Sequence, residues 1–271
     1  MRVVYFDCFS GISGDMTLAS LIDAGANREY IEHHLKKLPI EPFELQYHKV
    51  VKTGVTGLKI DVLLDPNTEI VHHRHYVDIV EMIDQSDLPN QVKTRSKNIF
   101  EKIGVAEAKV HNVPLDHVHF HEVGAVDSIV DIVGVCLALE NLGIDHIYTS
   151  PIPLGSGQIK IDHGIYPIPT PATLEILKGI PIRSSHVPFE MTTPTGAGIV
   201  AALGMEFSGY PSMTVQTIGY GAGTKDFEDR PNVLRAVIGD TNELYVSEPQ
   251  FTMVQEHEHH HDHHNPLTIS E

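Results

Sequence analysis

The sequence predicts an α/β or α+β fold, in which a mixed sheet with flanking helices precedes a disordered histidine-rich tail. Short apolar runs that suit buried strands occur between segments whose apolar residues recur at the helical period. Residues 43–64 instead alternate apolar and polar side chains around Gly54 and Gly57, which predicts two antiparallel strands and a turn. After about residue 242 the apolar pattern fades, and residues 243–271 contain no Lys or Arg, which favours disorder.

The domain organisation follows from these patterns. We expect residues 1–241 to form a folded region that binds metal and substrate, and residues 242–271 to form an acidic histidine-rich tail. A break within residues 65–117 could divide the folded region into two lobes, although no linker composition marks it. The sequence does not indicate strand order or oligomeric state, so a homo-oligomer remains open.

Composition excludes several classes of function. The 271 residues carry a formal net charge of −17, which argues against nucleic acid or an anionic membrane as a partner, because both require basic surfaces. Cys8 and Cys136 lie in apolar segments, which predicts free thiols in a reducing compartment. No apolar run reaches the roughly 18–20 residues needed to cross a bilayer, and no signal peptide is visible. We therefore expect a cytoplasmic protein.

The first predicted unit is a strand, a glycine-containing loop and a helix. Strand residues 3–6 lead into the loop 7–16 (DCFSGISGDM), and the helix ends at Gly25. Asp7 at the strand end and Asp15 in the helix suit a cation, while the loop's N–H groups and hydroxyls suit phosphate. The loop residues proposed to bind are Ser10, Gly11, Ser13 and Gly14. An ordinary strand–helix turn with an Asp cap explains the same pattern.

Several helices are expected before the next motif. Residues 27–37 and 79–83 have helical patterns, as do residues 87–102, and a further helix begins at residue 105. His72, His73 and His75 form a possible metal-binding group in front of the second of these helices. A polar lead-in to that helix explains them equally simply.

Residues 118–133 concentrate metal-binding side chains in an apolar context. His119 and His121 are two apart, so an extended segment places both imidazoles on one side. A helix is predicted from residue 126, and Asp127 and Asp131 share one of its faces. His119, His121, Glu122 and Asp127 together suit a borderline divalent cation such as Ni, Zn, Co or Mn. The alternative is a capped helix that follows a surface strand with solvated histidines.

The C-terminal half offers two further candidate segments. Residues 163–171 form a proline-stiffened loop after a strand at 158–161, and this loop could hold His163 in a fixed position. Thr193, Thr195 and Gly196 precede a helix predicted at 199–203, where N–H groups could bind an anion. A turn histidine and simple helix capping are the alternatives. Strands at 213–218 and 232–238 enclose a glycine-rich turn at 219–226.

The tail contains six closely spaced histidines that can chelate metal without a fixed geometry. They are His257, His259, His260, His261, His263 and His264. Acids interrupt the run and residues 265–271 follow it, which argues against an expression tag. Because such a tail has no fixed geometry, loose storage or delivery of metal explains it better than a tight catalytic site.

Taken together, five segments resemble the nickel-insertion (LarC) family of nickel-pincer cofactor biosynthesis. They are residues 7–16, 119–134, 163–179, 193–198, and 219–226 with Asn232. The resemblance implies a CTP-dependent cyclometallase of the lyase class that inserts Ni(II) into pyridinium-3,5-bisthiocarboxylic acid mononucleotide, giving the cofactor of lactate racemase. Full-length members continue into a C-terminal domain associated with CTP and Mn or Mg, so we expect this chain to be the N-terminal part. That domain and the lactate racemase apoprotein are the implied protein partners.

The leading hypothesis combines these features. The tail collects nickel and passes it to His119, His121, Glu122 and Asp127, while Asp7, Asp15, Glu122 and His163 are the candidate catalytic residues. It requires the distant segments to form a single pocket that includes Asp7, His119 and His121. Two alternatives are a non-enzymatic nickel store or chaperone and a metal-dependent phosphoester hydrolase.

Overall fold

A computed structural model describes residues 1–68, 74–120, 123–161 and 164–242. Some predictions concern residues outside these ranges. They are the predictions for His72, His73, His121, Glu122, His163 and the histidine-rich tail.

The centre of the molecule is a seven-stranded sheet. Its strands are β1 (Arg2–Asp7), β2 (Phe43–Lys52), β3 (Val55–Leu64), β6 (His146–Thr149), β11 (Glu206–Phe207), β12 (Thr214–Ala222) and β13 (Val233–Asp240). Two-stranded ladders pair β4 (Arg74–His75) with β5 (His119–Phe120), β7 (Ile152–Pro153) with β10 (Ile182–Arg183), and β8 (Gln158–Ile161) with β9 (Gly164–Pro167).

The strand order in the large sheet is β11-β6-β1-β13-β12-β3-β2. β1 pairs parallel with β6 and antiparallel with β13. β12 likewise pairs antiparallel with β13 and parallel with β3, and the predicted hairpin β2–β3 forms the far edge. The sheet is therefore mixed, as the sequence predicts.

The helices pack on one face of this sheet. They are α1 (Gly14–Asp23), α2 (Arg28–Leu35), α3 (Tyr76–Gln85), α4 (Asn90–His111), α5 (Val126–Asn141), α6 (Pro171–Ile176) and α7 (Pro194–Leu203). All seven contribute to one buried cluster with Val4 and Phe6 of β1. Val3 and Tyr5 point to the opposite face, into a small cluster without helical residues. This two-layer arrangement confirms the predicted class.

Two further predictions are confirmed within the described ranges. Cys8 and Cys136 are both buried and free. No helix in the described part of the chain has both the length and the apolar character that crossing a membrane requires.

Helix α4 corrects the prediction of two helices after residue 87. The structure has one continuous helix, and Gly104 lies inside it. A Cβ at Gly104 would lie 2.8 Å from Leu115 Cδ1 and 3.2 Å from Tyr76 Cδ2. The glycine therefore permits close packing rather than ending the helix.

Two segments predicted as a turn and a loop are strands. β12 extends through Ala222 because helix α1 packs directly on its glycines. A Cβ at Gly219 would lie 2.1 Å from the Ser20 carbonyl oxygen, and one at Gly221 would lie 1.8 Å from that of Met16. Residues 164–167, predicted as part of a proline-stiffened loop, pair antiparallel with β8.

Candidate functional site

An open cleft of about 490 Å³ lies where helices α1, α5 and α7 begin, beside strand β3. We call it the acidic cleft. Its polar lining includes Ser13 and Asp15 from the start of α1, Asp127 and Asp131 from α5, Thr193 and Thr195 from the start of α7, and Lys59 and Asp61 from β3. Four segments that are distant in sequence therefore meet, and the candidate residues Asp15, Asp127, Thr193 and Thr195 lie among them.

Backbone contacts between two loops fix the positions of α1 and α7. The Ile12 N–H donates to the Met191 carbonyl at 3.0 Å, and the Thr193 N–H donates to the Ile12 carbonyl at 3.2 Å. Gly11 has φ +104°, and a Cβ there would lie 1.8 Å from the Met191 oxygen. A Cβ at Gly196 would lie 2.2 Å from the Ile12 oxygen. Only glycine fits at both positions.

Hydroxyl groups already accept hydrogen bonds from some of the N–H groups at the helix starts, where an anion was predicted to bind. Ser13 caps α1 by accepting a backbone N–H three residues on, at 3.4 Å. Thr193 caps α7 by accepting the Gly196 N–H at 3.2 Å, and Thr195 Oγ1 accepts the Gly14 N–H at 3.3 Å. The two threonine hydroxyls are 2.8 Å apart. The helix starts are thus tied together by side chains.

Asp131 lies at the floor of the acidic cleft and is 9% exposed. A Cβ at Gly14 would lie 2.7 Å from the Asp131 Cβ, so the glycine allows the two helices to approach closely. The Asp15 N–H donates to the Asp131 carboxylate, but its buried Oδ1 has no hydrogen-bond partner in the described structure. Burial, followed by the charges of Asp15 and Asp127, raises the pKa of Asp131 well above its ordinary value.

Asp15 is the second carboxylate of the floor. Ser13 Oγ donates to Asp15 Oδ1, and burial raises the pKa of Asp15 even though this hydrogen bond opposes the shift. The Lys59 ammonium lowers the pKa of both Asp15 and Asp131, but it is itself paired with Asp61. The floor therefore contains two carboxylates that lack a dedicated positive partner among the described side chains.

A smaller cavity of about 200 Å³ adjoins the cleft and shares Ser13, Asp15 and Thr193 with it. We call it the annex. Its other lining residues include Lys225 and Asn232, and the Asn232 amide donates to the Lys225 carbonyl at 2.8 Å. Ser10 also lines it, but Ser10 Oγ donates to the Pro231 carbonyl at 2.8 Å. The glycine-rich segment 219–226 thus reaches the cleft.

The described lining of the cleft and annex is strongly acidic. Its charged residues are the carboxylates of Asp15, Asp61, Asp127, Asp131 and Glu190 and the amines of Lys59 and Lys225. Neither cavity has a described His or Cys in its lining. Across the described ranges, no group of three or more His, Cys, Asp or Glu side chains has the arrangement of a complete metal site.

Asp7 does not line either cavity. Its carboxylate forms an ion pair with Arg235, and the Tyr210 hydroxyl donates to it at 3.3 Å. Asp7 thus fastens β1 to β13. Neither Asp7 nor His119 lines the acidic cleft or the annex, so these cavities are not the expected single pocket that includes both residues.

His119 has a partner that the sequence does not suggest. The β4–β5 ladder places His75 directly opposite His119, with ring centroids 3.7 Å apart. We call these two residues the histidine pair. His119 is exposed and lies outside the lining of the acidic cleft. Because Val123 lines the cleft, four Cα steps place His119 within about 15 Å of its wall.

A buried ion pair holds the histidine pair in place. Arg74, next to His75, is 13% exposed and is paired with Glu41, which is 7% exposed. The Arg74 guanidinium also donates to the Gly124 carbonyl at 2.7 Å. This contact links β4 to the segment that enters α5.

Sequence reasoning missed Asp131 and Lys59 as site candidates, and it did not connect His75 with His119. The spacing of Asp127 and Asp131 indicates a shared helix face, but not the burial of Asp131 against Gly14. The sequence does not mark Lys59 as a site residue, because strands of alternating apolar and polar residues commonly contain lysine. His75 belongs to a group considered on its own, and only the pairing of β4 with β5 brings it to His119.

The fold and the cleft can now be compared with known proteins. The sequence model of the family described as nickel insertion protein matches residues 4–269. The chain belongs to the nickel insertion protein family. No solved structure matches it.

Curated relatives carry a more specific name. Proteins named pyridinium-3,5-bisthiocarboxylic acid mononucleotide nickel insertion protein are similar to this chain. The one from Geobacillus kaustophilus is 54% identical over 256 residues, which are 92% of this chain and 62% of the relative. Those from Staphylococcus epidermidis and Staphylococcus saprophyticus are 56% and 52% identical, over 87% and 86% of this chain and 59% of each relative. The chain thus spans about three fifths of the length of these relatives.

Proposed function

We propose that this chain takes part in the insertion of nickel into pyridinium-3,5-bisthiocarboxylic acid mononucleotide, the reaction given in the names of its relatives. The observation that carries the proposal is the convergence of four family-like segments on one cavity system. Segments 13–15, 127–131, 193–196 and 224–232 all contribute to the acidic cleft or the annex. In this proposal the cavities receive the mononucleotide.

Nickel reaches the cleft from the histidine side. His119 and His75 are the proposed imidazole ligands within the described structure, and Asp127 lies on the cleft wall. Imidazole binds Ni(II) well, whereas the sulfurs of the substrate are softer and can accept the ion from it. His121, Glu122 and the tail histidines, outside the described ranges, remain predicted ligands, and His163 remains a predicted catalytic residue. Asp7, which is paired with Arg235 outside both cavities, does not fit the catalytic role predicted for it.

The finer parts of the reaction are also proposals. We expect the complete process to use CTP with Mg²⁺ or Mn²⁺ and its product to serve lactate racemase.

The direct test is an insertion assay with the full chain. The chain is incubated with the separately produced C-terminal part of a full-length relative, Ni(II), the mononucleotide, CTP and Mg²⁺, and mass spectrometry measures the nickel-containing product. We expect product from the parent and from His33→Ala, which alters an exposed histidine of α2. His119→Ala is expected to reduce product at least about tenfold, because it removes a proposed nickel ligand.

Two results decide against the proposal. If the parent binds nickel but forms no product under conditions in which a full-length relative does, the chain acts as a nickel store and not as an insertase. If His119→Ala and His33→Ala both match the parent, the nickel route through the histidine pair is wrong.

A further inference from the structure

The negative charge of the acidic cleft is not balanced by its own positively charged side chains. Five carboxylates against two ammonium groups leave a formal charge of −3 on the described lining. The N-termini of α1, α5 and α7 add about +0.5 each, which is not enough to neutralise it. A mononucleotide brings further negative charge with its phosphate. An anion of this kind needs a multivalent cation to enter such a cleft.

Asp131 marks where that cation would be held. Its carboxylate is more than nine-tenths buried, lies at the cleft floor, and keeps one oxygen, Oδ1, without a hydrogen-bond partner in the described structure. A buried carboxylate oxygen with no donor is costly unless a ligand completes it. The Asp15 carboxylate is its close neighbour, because the Asp15 backbone N–H donates to Asp131.

Hydroxyl groups keep the two carboxylates in a fixed orientation. Ser13 Oγ donates to Asp15 Oδ1, and the Met16 backbone N–H also donates to the Asp15 carboxylate. Thr195 Oγ1 accepts the N–H of Gly14, the residue against which Asp131 packs. Such contacts around a pair of carboxylates resemble the outer shell of a metal site, which orients the ligands in advance.

We propose that Asp131 and Asp15 bind a hard divalent cation, Mg²⁺ or Mn²⁺, which links the cleft to the phosphate of the bound mononucleotide. Mg²⁺ is commonly held by one or two carboxylates, substrate phosphate and water, so an incomplete protein site is expected. Oxygen ligands favour Mg²⁺ and Mn²⁺, whereas imidazole suits nickel. The cleft ion is therefore distinct from the nickel at the histidine pair. The phosphate part of this inference rests on the proposed function, and the cation part does not.

Manganese titration of the full chain tests the cation part. Electron paramagnetic resonance measures free Mn²⁺, and Mg²⁺ is added as a competitor, because imidazoles of the tail bind Mg²⁺ poorly. We expect Mg²⁺-displaceable Mn²⁺ binding by the parent that Asp131→Asn and Asp15→Asn each weaken at least about tenfold. Asp84→Asn is the matched control, because Asp84 is half exposed on α3 and paired with Lys97 outside the cleft.

The substitution Asp131→Asn is expected to fold, since it removes a buried charge and keeps the side-chain shape. Circular dichroism verifies this, and Asp15→Asn provides an independent variant. If the parent shows no Mg²⁺-displaceable Mn²⁺ binding, or if both variants bind like the parent, the cation site does not exist.

Nicotinate mononucleotide, a pyridinium mononucleotide without sulfur, tests the phosphate part. We expect it to tighten Mn²⁺ binding by the parent at least about fivefold, and to have no such effect on Asp131→Asn, because coupling between two ligands is reciprocal. Manganese binding that is lost in both variants but insensitive to the mononucleotide overturns the phosphate link alone. Neither titration contains nickel or thiocarboxylate, so a failed insertion assay and a failed cation site are told apart.

Discussion

The acidic cleft and the histidine pair lie close together in the chain but are built in opposite ways. The cleft is formed by helix starts that pack closely at Gly11, Gly14 and Gly196, with carboxylates on its floor. The histidine pair stands on two strands of two residues each, and His119 is exposed to solvent. We therefore expect the acidic cleft to be rigid, and the side chains of the histidine pair to change conformation readily.

This difference matches the chemistry proposed for each region. Binding a hard cation and a phosphate in one orientation requires carboxylates fixed in advance. Receiving nickel and releasing it to sulfur requires ligands that can move and exchange with water. The contrast leads to predictions in which backbone changes damage the cleft and side-chain changes affect the pair.

The largest effect is expected from Gly11→Ala. Its Cβ would meet the Met191 carbonyl oxygen, and φ of +104° disfavours any residue with a side chain. We expect a loss of more than about 4 kcal/mol in the free energy of unfolding, together with loss of Mn²⁺ binding. Urea unfolding followed by circular dichroism measures it, because the chain has no Trp for fluorescence.

Gly209→Ala is the matched control, since an added Cβ there meets no atom within 4 Å. It should change the free energy of unfolding by no more than about 0.5 kcal/mol. Equal stability of Gly11→Ala and Gly209→Ala would mean that the two loops are not held together as described.

A smaller but still large effect is expected from Arg74→Met, which removes the positive member of the buried ion pair between Arg74 and Glu41. Removing one member of a buried pair typically costs about 3–5 kcal/mol. Lys97→Met breaks the exposed pair with Asp84 and should cost at most about 1 kcal/mol. Urea unfolding compares the two. If both variants lose equally little, the ion pair does not position the strands of the histidine pair.

The sequence predicts the local units well and their assembly poorly. Helical periodicity identifies α5, and the apolar run at residues 3–6 identifies β1, because both signals lie within one segment. The glycines at 219 and 221 read as a turn, since nothing in the local sequence indicates that α1 packs on them. Gly104 likewise suggests the end of a helix, because the local sequence does not indicate that Leu115 and Tyr76 pack against it.

The candidate site shows the same difference between signals that lie within one segment and contacts between distant segments. Asp15, Asp127 and Thr195 are recognisable from spacing near predicted helix starts, and they do meet in the cleft. The burial of Asp131 and the pairing of His75 with His119 depend on contacts between segments that are distant in sequence. Periodicity cannot reveal such contacts. Asp7 is the opposite example. Its position at the end of a strand suggests a site residue, but in the structure its carboxylate forms an ion pair with Arg235.

A moderate effect is expected at the histidine pair itself. His75→Ala should weaken nickel binding near β5 about tenfold, and the double variant with His119→Ala should lose little more, because the two rings act on one ion. Paramagnetic broadening of the Phe120 and Tyr76 amide resonances by Ni(II) reports this region apart from the tail. His33→Ala is the control. Additive losses in the double variant would mean that the two histidines do not share an ion.

The smallest effect is expected for the thiols of Cys8 and Cys136. Neither the acidic cleft nor the histidine pair uses a thiol. Burial raises the pKa of Cys136 to about 12 and that of Cys8 further still. The thiolate is the reactive and metal-binding form, so at about pH 8 only a minute fraction of either thiol is ionised. Ellman's reagent should therefore leave both cysteines unmodified in the native chain and modify both in urea.

Nickel should not change this protection, since oxygen and nitrogen ligands are proposed at both regions. Rapid modification of one thiol in the native chain would contradict the rigid cleft, because Cys8 precedes Gly11 in the loop that closes it. Protection from Ellman's reagent that depends on nickel would point to a thiolate ligand and contradict the proposed assignment of nickel to the histidine pair.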